Sequence, residues 1–94
     1  MENIKKQVQA YFDNNAHYYI PNIDNLDEDS KNHIVNIGTS IICTRHKVGY
    51  PGGLFVQSVV NNDLQGAFAN ADGTDVKAIR FYLMMMYNMP VSLN

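Results

Sequence analysis

Apolar side chains recur at Ile4, Val8, Tyr11 and Phe12, the i, i+4, i+7, i+8 spacing of one helix face. Glu2 stands near the positive end of that helix, and the pattern fades at Asp13-Asn14-Asn15. His17 to Asn25 reads as an irregular connection, in which Pro21 pushes Ile20 out of the helical region. A second helix is expected to begin between Asn25 and Asp29, whose side chains accept from unpaired backbone N–H groups and suit the helix dipole. Ile34, Ile37 and Ile41 then repeat at helical spacing, widened by Val35 and Ile42. Gly38 inside this run costs about 1 kcal/mol relative to Ala, which predicts close approach by another helix. The Ile and Val content also suits a strand, so this helix is the least firmly specified.

Arg45-His46-Lys47-Val48-Gly49-Tyr50-Pro51-Gly52-Gly53 is dense in Pro and Gly and predicts a turn. A third helix is predicted from Leu54 to Ala71, with Val56, Val60, Leu64, Ala67 and Ala71 on one face and Phe55, Val59 and Phe68 beside it. Asp72-Gly73-Thr74 forms a short link in which Asp72 or Thr74 caps the next helix. The fourth carries Val76, Ile79, Leu83 and Met86 on one stripe and ends near Asn88, before Pro90. The expected fold is all-α: a single helical domain over residues 1–94, a small bundle of about four helices assembled as a homo-oligomer.

The oligomer is expected from one segment. Residues 81–89, FYLMMMYNM, are apolar nearly all the way round, and such a helix has to be covered on every side. Three other helices of a chain this short do not easily surround it, so a subunit interface is the favoured explanation. The competing one is a central helix in a compact bundle.

Composition narrows the class. The hydrophobic fraction of 46% argues against disorder, and a formal net charge of −2 argues against bulk attraction to duplex nucleic acid. Charge is uneven locally: Asp24, Asp27, Glu28 and Asp29 are acidic, while Arg45, His46 and Lys47 are basic. The single cysteine, Cys43, excludes an intramolecular disulfide and suits a reducing compartment. The N-terminal stretch lacks the apolar core of a signal peptide, and no run of about 18 apolar residues exists to span a membrane.

Two segments hold polar groups suited to a ligand. Arg45 offers a planar fork of donors for a phosphate, and Gly52 and Gly53 open a helix whose N–H groups favour an anion. Tyr50, in the same turn, has a face on which a base can stack. A solvated, cationic helix end followed by a plain turn explains the same residues. Asn61-Asn62-Asp63 is the second segment: three short polar residues expected inside the third helix, where propensity disfavours them. They bond a ligand, bridge to another helix, or form an exposed polar face, a reading that their number weakens. Metal ligation is not expected. Cys43 and His46 lack a second pair, and Asp72 to Asp75 is too short for a calcium loop. Cys43 reads as a small buried hydrophobe, and His17, His33 and His46 have no evident carboxylate to orient them, so no enzyme is expected.

The segment Gly49–Pro90 resembles a family of small phage proteins with the pattern PG-x-F, then NDL-x-x-A-F-x-x-AD, then an apolar helix ending in Tyr-Asn and Pro. The matching residues are Pro51, Gly52, Phe55, Val59, Asn62, Asp63, Leu64, Ala67, Phe68, Ala71, Asp72, Tyr87 and Asn88; the closing Pro is displaced to Pro90. The family is identified with the anti-CBASS sponges of phages. The resemblance implies an immune-evasion protein in the cytoplasm of the infected bacterial host. It would bind a cyclic dinucleotide, 3′3′-cyclic GMP–AMP by preference, without cleaving it, and so keep the defence effector inactive. It implies a homo-oligomer, a tetramer being the expected number, with pockets at subunit boundaries and no cofactor. The expected ligand-binding residues are Tyr11, Arg45, Tyr50, Pro51, Gly52 and Gly53, with Asn62, Asp63 and Asp72 bracing them. The alternatives are a small DNA-binding or regulatory phage protein and an inhibitor of a host protein, docked through the apolar fourth helix.

Overall fold

The computed structural model describes residues 2–93. Among them are five α-helices and no strand: α1 (Glu2–Tyr19), α2 (Glu28–Arg45), α3 (Leu54–Val60), α4 (Leu64–Asn70) and α5 (Gly73–Asn88), with one 3-10 turn at Ile23–Asn25. The expected all-α bundle is present, with five helices in place of about four. α2 is the centre: α1, α3 and α5 pack against it, α1 also touches α5, and α4 leans mainly on α3.

α1 runs past Asp13-Asn14-Asn15, where the pattern was expected to fade. Ile4, Val8, Phe12, Ala16 and Ile20 are all buried, an i, i+4 repeat that continues through the polar triplet. The triplet does not interrupt the helix, because the Asn14 and Asn15 amides donate to the carbonyls of Ala10 and Tyr11 at 3.0 Å each. On α2, Asp27 is the N-cap and accepts from the Ser30 N–H at 2.8 Å. The close approach expected at Gly38 is present from two sides. A Cβ there would stand 3.1 Å from Val8 Cγ1 on α1 and 3.4 Å from Met85 Sδ on α5.

The predicted third helix, Leu54 to Ala71, is two helices. The Asn61-Asn62-Asp63 triplet is the break between them, not a polar patch inside one helix. Asn62 takes the left-handed conformation (φ 59°), the Asp63 N–H donates to the Ser58 carbonyl at 2.8 Å, and the Asn62 N–H donates to Val59 at 3.2 Å. These two bonds form a Schellman end for α3, with Asn62 as the left-handed residue. Asp63 then caps α4 by accepting from the Gly66 N–H at 3.0 Å. One residue ends a helix and the next starts another. α2 stops the same way: Lys47 is left-handed (φ 59°), and the Val48 and Lys47 N–H groups bond the Cys43 and Thr44 carbonyls at 2.8 and 3.2 Å.

On α5 the buried stripe is offset from the expected one. Ala78, Phe81, Tyr82 and Met85 are fully enclosed, whereas Val76 is 46% and Leu83 41% exposed. A helix apolar on nearly every side does not reveal which side is inward. Much of residues 81–89 is used within the chain: Phe81 meets Phe12 edge-on at 5.5 Å, and Tyr82 meets Phe55 at 5.8 Å. What remains outside is Leu83 and Tyr87 on α5; on α4, Leu64 and Phe68 are exposed, and Leu64 lines a small pocket together with Leu83. No helix among the described residues is long and apolar enough to cross a membrane.

Candidate functional site

The Schellman end of α2 leaves Arg45 as its last helical residue, exposed and turned toward the end of α5. Arg45 Nη1 donates to the Met86 carbonyl at 2.7 Å. That carbonyl lies in the last turn of α5, where the helix dipole is negative and a guanidinium is favourable. One of the five guanidinium N–H donors is used in this bond. Around Arg45 lies an open groove of about 380 Å³, lined by Val59, Val60, Asn62, Leu83, Met86 and Tyr87. It has an apolar floor, a cation at one wall, an amide side chain on the helix break and an 86% exposed tyrosine ring at the rim. That combination suits an anion carrying flat rings.

The expected site residues do not all gather there. Tyr50 is 95% exposed, and neither it nor the Pro51-Gly52-Gly53 turn lines the groove. The Gly52 N–H donates to Thr44 Oγ1 at 2.9 Å, and its carbonyl accepts from Gln57 Nε2 at 2.6 Å, so the turn is pinned to α2 and α3. Glycine is needed at this point: a Cβ would fall 2.5 Å from Ser40 Oγ and 2.8 Å from Val56 Cβ. Gly53 is the N-cap of α3 and faces open space, with no atom within 4 Å of a Cβ built on it. Tyr11 is half-buried in another part of the bundle, its ring 5.9 Å from Phe81 and its hydroxyl 3.4 Å from the Met84 carbonyl. Asp72 caps α5 in a reciprocal capping box with Asp75.

A larger cavity of about 590 Å³ lies between α1, the 3-10 turn and the start of α2. Asp13, Asp24 and Glu28 line it against a single Lys31, a balance that repels a phosphodiester. Of the two, the Arg45 groove has the charge balance that suits an anion, although it is smaller.

One group of polar residues was not anticipated. His33, expected to lack a carboxylate orienter, has two. Its Nε2 lies 3.1 Å from Asp75 Oδ1 and 3.2 Å from Asp72 Oδ2. The Tyr82 hydroxyl donates to the same Asp75 oxygen at 3.3 Å. Asp75 is buried, and loss of hydration together with the neighbouring Asp72 charge raises its pKa above the ordinary carboxylate value. Burial also raises the Tyr82 phenol, so it stays a donor. Forty-two residues separate His33 from Asp75, and no local spacing connects them. Cys43 is enclosed, and burial raises its thiol pKa, which keeps it un-ionised.

The chain matches no protein-family model, no curated protein and no solved structure.

Proposed function

We propose that this chain binds a cyclic dinucleotide, 3′3′-cyclic GMP–AMP by preference, and holds it without cleaving it. The observation that carries the reading is where the phage-type pattern falls in three dimensions. Val59, Asn62 and Tyr87 all belong to that pattern, and all three line the groove around Arg45. Arg45 supplies charge-assisted donors to a phosphodiester, and Tyr87 supplies a ring face for a base. Sequestration needs affinity alone, and these groups supply affinity. The reading makes the chain a phage immune-evasion protein that lowers a CBASS signal in the cytoplasm of the infected cell.

The groove is open to solvent, its lining residue Leu83 is exposed, and the exposed Leu64 lies beside Leu83. A second copy laid on this apolar face closes the groove, which favours a homo-oligomer with sites at subunit boundaries; the tetramer remains the proposed number. Calorimetric titration with 3′3′-cyclic GMP–AMP tests the site. Arg45→Ala is expected to weaken binding by about 1.5–3 kcal/mol, the range for a hydrogen bond to a charged group. Unchanged affinity in a folded Arg45→Ala protein removes the groove as the site.

A further inference from the structure

We propose that His33, Asp72 and Asp75 form a binding site for a divalent transition-metal ion of the zinc type, joining α2 to the start of α5. The capping box at the start of α5 brings the two carboxylates together. Asp72 uses Oδ1 to accept from the Asp75 N–H at 2.7 Å, and Asp75 turns Oδ2 toward the Asp72 N–H at 3.5 Å. Each carboxylate therefore commits one oxygen to the helix end and turns the other to the same place. His33 Nε2 arrives there from α2, 3.2 Å from Asp72 Oδ2 and 3.1 Å from Asp75 Oδ1. All three donor atoms lie within 4.8 Å of one another. A tetrahedral ion with ligands at about 2.1 Å needs its donors about 3.4 Å apart, so small rotations suffice.

Charge points the same way. Two carboxylates face one ring nitrogen, and among the described residues no lysine or arginine pairs with either. A single Nε2–H donates well in one direction only, whereas a dication serves both oxygens and the imidazole lone pair together. The Tyr82 hydroxyl, bonded to Asp75 at 3.3 Å, orients that carboxylate as outer groups orient ligands in metal centres. Asp72 and His33 have 56% and 38% of their side chains exposed, which leaves a wet side for entry and for a coordinated water. The imidazole selects zinc over magnesium, which prefers an all-oxygen set.

The test is thermal unfolding of chelator-stripped protein with Zn²⁺, compared with Mg²⁺ at the same concentration. Zinc is expected to raise the midpoint by at least about 5 °C when well above its dissociation constant, and magnesium to leave it unchanged. His33→Gln and Asp72→Asn should both abolish the rise. The asparagine keeps an N-cap acceptor, so that variant folds. No rise in the native sequence overturns the site. An equal rise in both variants overturns it too, by placing zinc on other histidines.

Discussion

At the residue scale, the two adjacent glycines of the turn have opposite needs. Gly52 sits where any Cβ collides with α3 and Ser40, while Gly53 looks into open space. Gly52→Ala should therefore destabilise by about 1–3 kcal/mol, the usual cost of overpacking. Gly53→Ser should be neutral or slightly stabilising, since it adds a side-chain N-cap. Denaturant melts of the two variants check this, and equal effects contradict it. Asp27 gives a prediction in pH. Accepting the Ser30 N–H holds its pKa below the ordinary 3.8. A lowered folded pKa means that its charge contributes stability above the unfolded value and loses it as pH falls through the folded one. The stability difference between the native sequence and Asp27→Asn should be constant from neutral pH down to about 5 and should shrink below about 4. A difference that grows on acidification has the wrong sign.

At the element scale, the helix break at Asn62-Asp63 follows rules that single residues carry. Asn tolerates a left-handed backbone, and Asp accepts from the N–H groups of a first turn. Asn62→Val should cost about 1–2 kcal/mol because a β-branched side chain resists φ 59°. Asn62→Gly should be tolerated, and Asp63→Ala should cost about 1 kcal/mol through loss of the cap. Equilibrium unfolding of the three variants tests the order. This break was legible, since three short polar residues are poor helix formers, and the propensity argument pointed at the right place. The sequence nevertheless reads as one helix carrying a polar patch, because apolar positions recur at helical spacing on both sides. The end of α1 is hidden for the opposite reason: the polar triplet Asp13-Asn14-Asn15 masks Ala16 and Ile20, which continue the buried stripe. The side of α5 that faces inward was not legible at all, because FYLMMMYNM offers no polar face from which to orient it.

At the scale of the whole molecule, the candidate site was legible only in part. Arg45 stood out by its charge beside a glycine turn. Its bond to Met86, 41 residues away, depends on how α2 and α5 cross. The same crossing assembles His33 with Asp72 and Asp75, and no spacing argument reaches that far. The apolar surface left over after folding separates the core from the face proposed as an interface. Met85 is wholly enclosed in the chain, so Met85→Glu should unfold the protein, not merely dissociate it. Leu83 is 41% exposed, so Leu83→Glu should leave the fold intact and split the proposed assembly. Light scattering at micromolar concentration reads both. A native protein that is already monomeric removes the shared-interface part of the account.

The activity proposed for this chain is retention of a cyclic dinucleotide without cleavage. It is tested most directly by mixing purified protein with 3′3′-cyclic GMP–AMP, removing unbound nucleotide, denaturing by heat and separating what is released. The account predicts intact cyclic dinucleotide, recovered in proportion to the protein and in equal amount after hours of incubation. Nothing retained, or linear dinucleotide accumulating with time, contradicts it.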